Sequence, residues 1–256
     1  MSHENRSVCI VTGGARGIGE SIVRRFRDEG FAVALLDIDE VRGRALAKEV
    51  DAHFIRCDVG QPEDWELAIG EVMSQFGRLD VLVNNAALTY FIPIADYPIG
   101  KWHRSFSVNL HAPFYLSQLV LPAMIERKAG TVCNFSSDAG RIGTSCEVVY
   151  SACKAGVIAL SKSVARETGR YGLRLNVVCP GLVVPPDEES ISDESMWTQM
   201  RDIFTDEIRE KVERNYLFRR MAKASEIANA VVFLSSDAAS FITGQTLSVS
   251  GGYTMM

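Results

Sequence analysis

Val8-Cys9-Ile10-Val11-Thr12-Gly13-Gly14-Ala15-Arg16-Gly17-Ile18-Gly19 is the stretch on which the reading of this chain turns. Its first four residues are apolar without alternation, as in a strand covered on both faces. The glycines follow at once. Lacking Cβ atoms, Gly13, Gly17 and Gly19 permit a tight turn and a close backbone approach to a ligand. Ile18, Ile22 and Phe26 then recur every four residues with Val23 beside them, while Arg24, Arg25, Asp28 and Glu29 face elsewhere. That pattern is an amphipathic helix, and Gly30 stops it. Strand, glycine turn and helix in this order leave free N–H groups and the positive end of the helix dipole at the turn, a natural seat for a pyrophosphate. A tight turn without a ligand is the plainer alternative.

The same rhythm extends outward. Further apolar runs are Ala32–Leu36, Phe54–Cys57, Val81–Val83, Thr131–Phe135, Leu175–Cys179 and Thr246–Val249. Helical patterns lie between them at 63–76, 101–127 and 148–170. Alternation of this kind implies right-handed crossovers and an α/β fold, a Rossmann-like doubly wound parallel sheet of about seven strands flanked by helices. Residues 185–216 break the rhythm. They open Pro-Pro-Asp-Glu-Glu-Ser and continue through Trp197, Met200, Ile203 and Phe204. A segment beyond the carboxyl end of a strand, with that many apolar residues, is expected to be a substrate lid. Neither repeat nor linker divides the chain, so 1–256 is read as one dinucleotide-binding domain.

Composition narrows the function classes. The chain has 256 residues, 47% apolar and 23% charged, with a net charge of −5. Mild acidity without a Lys/Arg run argues against a nucleic-acid partner. No apolar run is long enough for a membrane span, and Met1–Ser7 lacks the apolar core of a signal peptide. The six cysteines, Cys9, Cys57, Cys133, Cys146, Cys153 and Cys179, form no CxxC pair. Free thiols in a reducing cytoplasm are expected rather than a disulfide framework or zinc site. His3, His53, His103 and His111 show no metal-ligand spacing, so no metal is expected.

Two further groups carry chemistry. Asp37 ends the second strand, eighteen residues after Gly19. A carboxylate there accepts hydrogen bonds from the adenosine ribose and repels a 2′-phosphate. Arg16 pulls the other way, since a guanidinium in the turn could hold such a phosphate; a solvated loop cation is the other reading of it. NAD is therefore expected over NADP. Tyr150 and Lys154, four apart at the start of a helix, share one face. A free phenol, with a pKa of about 10, is a poor base near neutrality. A neighbouring ammonium and an oxidised nicotinamide both favour the phenolate. Ser137, at the end of the fifth strand, is placed to hold the substrate oxygen.

Taken together, these motifs resemble the classical short-chain dehydrogenase/reductase family over nearly the whole chain. The glycine motif matches Thr12–Gly19, with Gly13, Arg16, Gly17, Ile18 and Gly19 as cofactor-binding positions beside Asp37. The acidic-Val element matches Asp58-Val59, beside the adenine in the family. The NNAG element reads Asn84-Asn85-Ala86-Ala87, with Ala in place of the last Gly. The helix asparagine matches Asn109, and the catalytic serine, tyrosine and lysine match Ser137, Tyr150 and Lys154. Pro180-Gly181 matches the element after the sixth strand, and 241–245 with Gly251-Gly252 the C-terminal motif.

The resemblance implies that Tyr150 exchanges a proton with the substrate hydroxyl. Lys154 lowers the Tyr150 pKa and binds the nicotinamide ribose, Ser137 stabilises the substrate oxygen, and Asn109 holds a water linking Lys154 to solvent. Two positions depart from the family. Leu182-Val183-Val184 replaces the Thr that touches the carboxamide, leaving Val183 to contribute through its backbone, and Ser250 replaces the acid before Gly251-Gly252.

The positions expected to face substrate are Asp138, Arg141, Thr144 and Glu147, with Thr89-Tyr90-Phe91 and the lid. The Ser-Asp-Ala-Gly-Arg segment looks like members oxidising hydroxyacyl-CoA thioesters, including ring-bearing ones. Arg201, Arg209, Arg214, Arg219 and Arg220 would meet the CoA phosphates, opposed by Asp187, Glu188, Glu189, Asp193 and Glu194. A small secondary alcohol or polyol is the competing substrate, and a non-catalytic partner subunit the competing role. Relatives pack their long helices between subunits, so a homotetramer is implied.

Overall fold

The computed structural model describes residues 6–185, 191, 197–198 and 204–256. Its centre is a seven-stranded sheet in the order β3-β2-β1-β4-β5-β6-β7, with every pairing parallel. The strands are β1 Val8–Thr12, β2 Ala32–Asp37, β3 His53–Arg56, β4 Val81–Asn84, β5 Gly130–Phe135, β6 Leu173–Pro180 and β7 Thr246–Val249. The order reverses between β1 and β4, which is where open α/β sheets bind ligands.

Successive strand residues enter opposite layers, so their apolar runs cannot alternate with polar residues. Ile10, Leu36 and Leu82 pack under α3 (Pro62–Phe76) and α5 (Ala112–Arg127), where Val72, Leu116 and Val120 complete that core. Cys9, Val11, Leu35 and Val83 pack under α1 (Gly17–Asp28) and the helix Ala224–Ser235, against Ile22, Phe26, Ile227 and Val231.

Two helical segments differ from the sequence pattern. The expected helix over 101–127 is α4 (Ile99–Phe106), a π-turn at Ser107–His111 and α5. A π-turn marks an inserted residue in the helical ladder, and Asn109 sits on it. The second is α2 (Glu40–Val50), which the apolar periodicity did not show. Nearly half of its residues are charged, it carries Gly43, and its start is fixed locally: the Asp39 carboxylate accepts the Arg42 N–H at 3.0 Å, an N-cap.

Within the expected lid at 185–216, residues 186–190, 192–196 and 199–203 lie outside the described residues, and Asp206–Glu213 is helical. One helix, Val148–Tyr171, has the length and apolarity of a membrane span. It comprises α7 (Val148–Thr168) and the short turn after it, and it packs on the sheet through Val157 and Ala165. All six cysteines are free, and five are buried. Among the described residues no cluster of His, Cys, Asp or Glu is arranged to hold a metal.

Candidate active site

The glycine turn is held from below by β4. Asn85 Nδ2 donates to the carbonyls of Thr12 and Gly13 at 2.9 and 3.0 Å, and the Thr12 hydroxyl accepts the Asn85 and Ala86 N–H groups at 3.1 Å each. A Cβ on Gly19 would overlap the Gly13 carbonyl oxygen, so the turn closes only around glycine. Gly17 is different. Its φ is +55°, and a Cβ there would meet nothing within 4 Å. The start of α1 has no side-chain cap, so its first N–H groups remain for a ligand. The turn thus fits a dinucleotide pyrophosphate: rigid beneath, open above and uncapped.

At the adenosine end, the Asp37 carboxylate accepts the Ala15 and Asp39 N–H groups, each at 2.9 Å. Arg16 is ion-paired with Asp39. Asp39 was not singled out in the sequence; an acid at a helix N-cap two residues past a strand end is the signal that would have found it. Asp58, after β3, pairs with Arg104 at 3.0 Å and accepts the Gly60 N–H at 2.8 Å. Val59 is buried in the core, and its carbonyl accepts the Trp65 indole N–H at 2.9 Å.

The reacting groups meet where α7 passes the ends of β5 and β6. A Cβ on Gly140 would lie 2.7 Å from the Lys154 carbonyl carbon. The absence of one lets α6 (Ala139–Ile142), and with it the Ser137 loop, lie directly on α7. Ser136 donates to the Lys154 carbonyl at 2.8 Å and the Ala139 N–H to the Ser137 hydroxyl at 3.1 Å, locking that contact. Lys154 is 1% exposed. Its ammonium donates to the Phe135 carbonyl at 2.9 Å and lies 5.5 Å from the Tyr150 ring centre.

Burial pushes the Lys154 amine down to about 8. Burial also raises the Tyr150 phenol well above its ordinary value; the Glu147 carboxylate pushes the same way, and the Ser137 hydroxyl works against both. In the cofactor-free protein, burial thus opposes the lowering expected from the Lys154 ammonium and an oxidised nicotinamide together. Desolvation disfavours the charged phenolate, and a neighbouring carboxylate adds to that effect.

The remaining candidates separate into groups. Asn109 is fully buried: its amide donates to the carbonyls of Leu88 and Ser105 at 2.6 and 3.0 Å and accepts the Leu88 N–H at 3.1 Å. Both amide protons are therefore engaged in tying α4 to the loop after β4. Asp138 and Arg141 were expected to face substrate and do not. Asp138 is 4% exposed and accepts the hydroxyls of Ser248 and Thr254 at 3.0 and 2.6 Å. Arg141 donates to the carbonyls of Thr246 and Met256. Both belong to the seam between α6, β7 and the last residues, a long-range contact no local spacing signals.

Glu147 stays beside Tyr150, while Thr144 is exposed and its N–H donates to the Ser151 hydroxyl. Glu147 accepts the Thr89 hydroxyl at 3.1 Å, and burial raises its pKa. Gly181, after Pro180, donates to the Val249 carbonyl at 2.9 Å; Val183 bridges to Ala222. Tyr216, unnoticed in the sequence, is buried, stacks on Tyr253 and accepts the Leu182 N–H at 2.9 Å, shaping the backbone after β6.

A sequence-family description, enoyl-(acyl carrier protein) reductase, matches residues 13–254, from the glycine turn through the C-terminal seam. The chain belongs to the short-chain dehydrogenase/reductase family. It is 36% identical over 252 residues to a 3-oxoacyl-[acyl-carrier-protein] reductase of Staphylococcus aureus, covering 96% of this chain and 97% of the other. It is 37% identical over 247 residues to a 3-alpha-(or 20-beta)-hydroxysteroid dehydrogenase of Mycobacterium tuberculosis, covering 96% and 88%. The family is one of oxidoreductases that bind a nicotinamide cofactor.

Proposed function

We propose that this short-chain dehydrogenase/reductase interconverts a secondary alcohol and a ketone with NAD(H). The observation that carries the reading is the Lys154 ammonium buried 5.5 Å from the Tyr150 ring, on a helix pressed against the Ser137 loop. Burial is costly for a charged amine, and packing does not require one there. A bound nicotinamide supplies the hydride acceptor or donor and, when oxidised, a positive charge. Tyr150 gives or takes the substrate proton at its phenol oxygen. Ser137 donates to the substrate oxygen. Lys154 holds the ribose side of the site and adds its charge to the field that lowers the Tyr150 pKa. Asn109 supports this group through the π-turn it anchors rather than through a free amide proton. Among the two relatives above, one is named for a 3-oxoacyl thioester and the other for a hydroxysteroid, both carbonyl–alcohol couples.

NAD(H) over NADP(H) is supported by two carboxylates at the adenosine end. Asp37 closes β2, and Asp39 neutralises Arg16, the one cation in the turn. A ribose 2′-phosphate would have to displace that ion pair. A CoA thioester as substrate gains little support from the described arginines, since Arg209, Arg214 and Arg220 each pair with a glutamate; a compact alcohol fits better. A homotetramer is supported by exposed Trp102, Phe114 and Tyr115 on α4 and α5, more aromatic surface than a solvated face needs. Six free thiols suit a reducing cytoplasm.

The test is titration with NAD⁺ and NADP⁺ separately, followed by a screen of secondary alcohols read as reduced-cofactor absorbance. Saturable NAD⁺ binding with turnover of a secondary alcohol supports the reading. Preference for NADP⁺ overturns the cofactor assignment, and binding without turnover across the screen overturns the enzymatic one.

A further inference from the structure

Glu147 stands beside the reacting phenol with no role in the hydride or proton transfer described above. It precedes α7 directly, three residues before Tyr150, so the two side chains lie on one face of the first turn. Its carboxyl is half-buried yet pairs with no cation. Thr89, from the loop after β4, donates to one oxygen at 3.1 Å, and the other accepts nothing from the described residues. The two loops are also clasped through their backbones, since the Ile92 N–H donates to the Cys146 carbonyl at 2.9 Å. Glu147 is therefore held in place beside the phenol by both walls of the site, with an acceptor oxygen unspent.

We propose that the free oxygen of Glu147 receives a second hydroxyl of the substrate, one or two carbons from the carbinol that Tyr150 deprotonates, and that the enzyme is thus selective for diols over matching mono-alcohols. The proposal rests on the hydride-transfer reading given above. Three features set the ligand chemistry. A carboxylate accepts and does not donate, so its partner must carry a proton. It repels a substrate carboxylate or phosphate placed next to the reacting carbon. The buried Lys154 ammonium opposes a cationic amine in the same space, which leaves a neutral hydroxyl. A second oxygen at that spacing bridges the gap between neighbouring heads on one helical face. Asp138 and Arg141, nearby in the chain, are tied instead to the C-terminal seam, where one Asp138 oxygen accepts two hydroxyls and Arg141 donates to two carbonyls.

The experiment uses the full chain with NAD⁺ and two pairs of probes: butane-2,3-diol against butan-2-ol, and cyclohexane-1,2-diol against cyclohexanol. The quantity read is the ratio of kcat/KM for diol over mono-alcohol, in the wild type, Glu147→Gln and Glu147→Ala. We expect a wild-type ratio above one that falls about 10- to 100-fold in Glu147→Ala, the loss of one hydrogen bond to a charged group. Glu147→Gln, which keeps a carbonyl acceptor, recovers part of it. A loss of packing alone would lower both rates and leave the ratio where it was. A ratio unchanged in both variants overturns the proposal. So does a wild type that binds NAD⁺ and oxidises neither diol. A wild type that fails to bind the nucleotide overturns the underlying reading instead.

Discussion

The two ends of the dinucleotide site are built on opposite principles. At the glycine turn the side chains that shape the loop are held by the protein itself, Asn85 by two carbonyls, Asp37 by two N–H groups and Arg16 by Asp39, while the first N–H groups of α1 stay open. At the reacting end, burial drives the Lys154 amine down, and the Tyr150 phenol and Glu147 carboxyl up. The first region is a finished mould that needs no ligand to hold its shape. The second holds its titratable groups against a cost of burial, and on the proposed reading the positive charge of an oxidised nicotinamide would favour the Tyr150 phenolate there. The difference separates a recognition end whose loop is preorganised from a reacting end whose phenol needs a charged partner.

The sharpest way to break that contrast is to remove the phenol oxygen. Tyr150→Phe is expected to lower kcat by about 10³-fold or more, the scale of a lost general base. Nucleotide affinity measured by fluorescence quenching should stay within about twofold, because the turn that binds it does not involve Tyr150.

Lys154→Met comes next. Turnover should fall by about 10²-fold or more, while the melting temperature of the cofactor-free protein rises. The sign follows from the lowered pKa. Below about 8 the native amine must carry its charge into the core, and the penalty is complete; as pH rises from about 8 towards the unfolded value of 10.5 the penalty fades. The gain in melting temperature should therefore be larger at pH 7 than at pH 10. Loss of the Phe135 contact offsets about 1 kcal/mol of it.

At the other end, Asp39→Ala frees Arg16. It is expected to raise the ratio of NADP⁺ to NAD⁺ affinity by about 10-fold, the value of one charge-assisted contact to a phosphate. An unchanged ratio would show that the Arg16–Asp39 pair has no part in cofactor choice. The smallest effect belongs to Glu147→Gln on pH dependence. The Glu147 charge raises the Tyr150 pKa, so its removal should move the alkaline-rising oxidation profile towards lower pH by a fraction of a unit.

The finished mould was also the more legible region in the sequence. Glycines at a strand-to-helix turn and an acid ending β2 are local signals, and the strands betrayed themselves because both faces are buried. The Tyr150–Lys154 spacing was equally plain. What stayed hidden depends on contacts between distant residues. Asp138 and Arg141 sit beside Ser137 in the chain, yet partners more than a hundred residues away turn them towards β7. The helix α2 lacks a clear apolar period, so the sequence pattern missed it; its Asp39 cap was the one local signal available. The direction of the Tyr150 shift needed the burial of the pocket, which spacing along a helix does not carry.

On the proposed reading, Tyr150 becomes a base only when the cofactor arrives. The direct measurement is the ultraviolet titration of the phenol, as the difference between wild type and Tyr150→Phe, with and without saturating NAD⁺. The account predicts a phenol that resists ionisation well above its ordinary range in the free protein and ionises at distinctly lower pH in the complex. A titration that NAD⁺ leaves in place, or a free protein whose Tyr150 already ionises near neutrality, would contradict it.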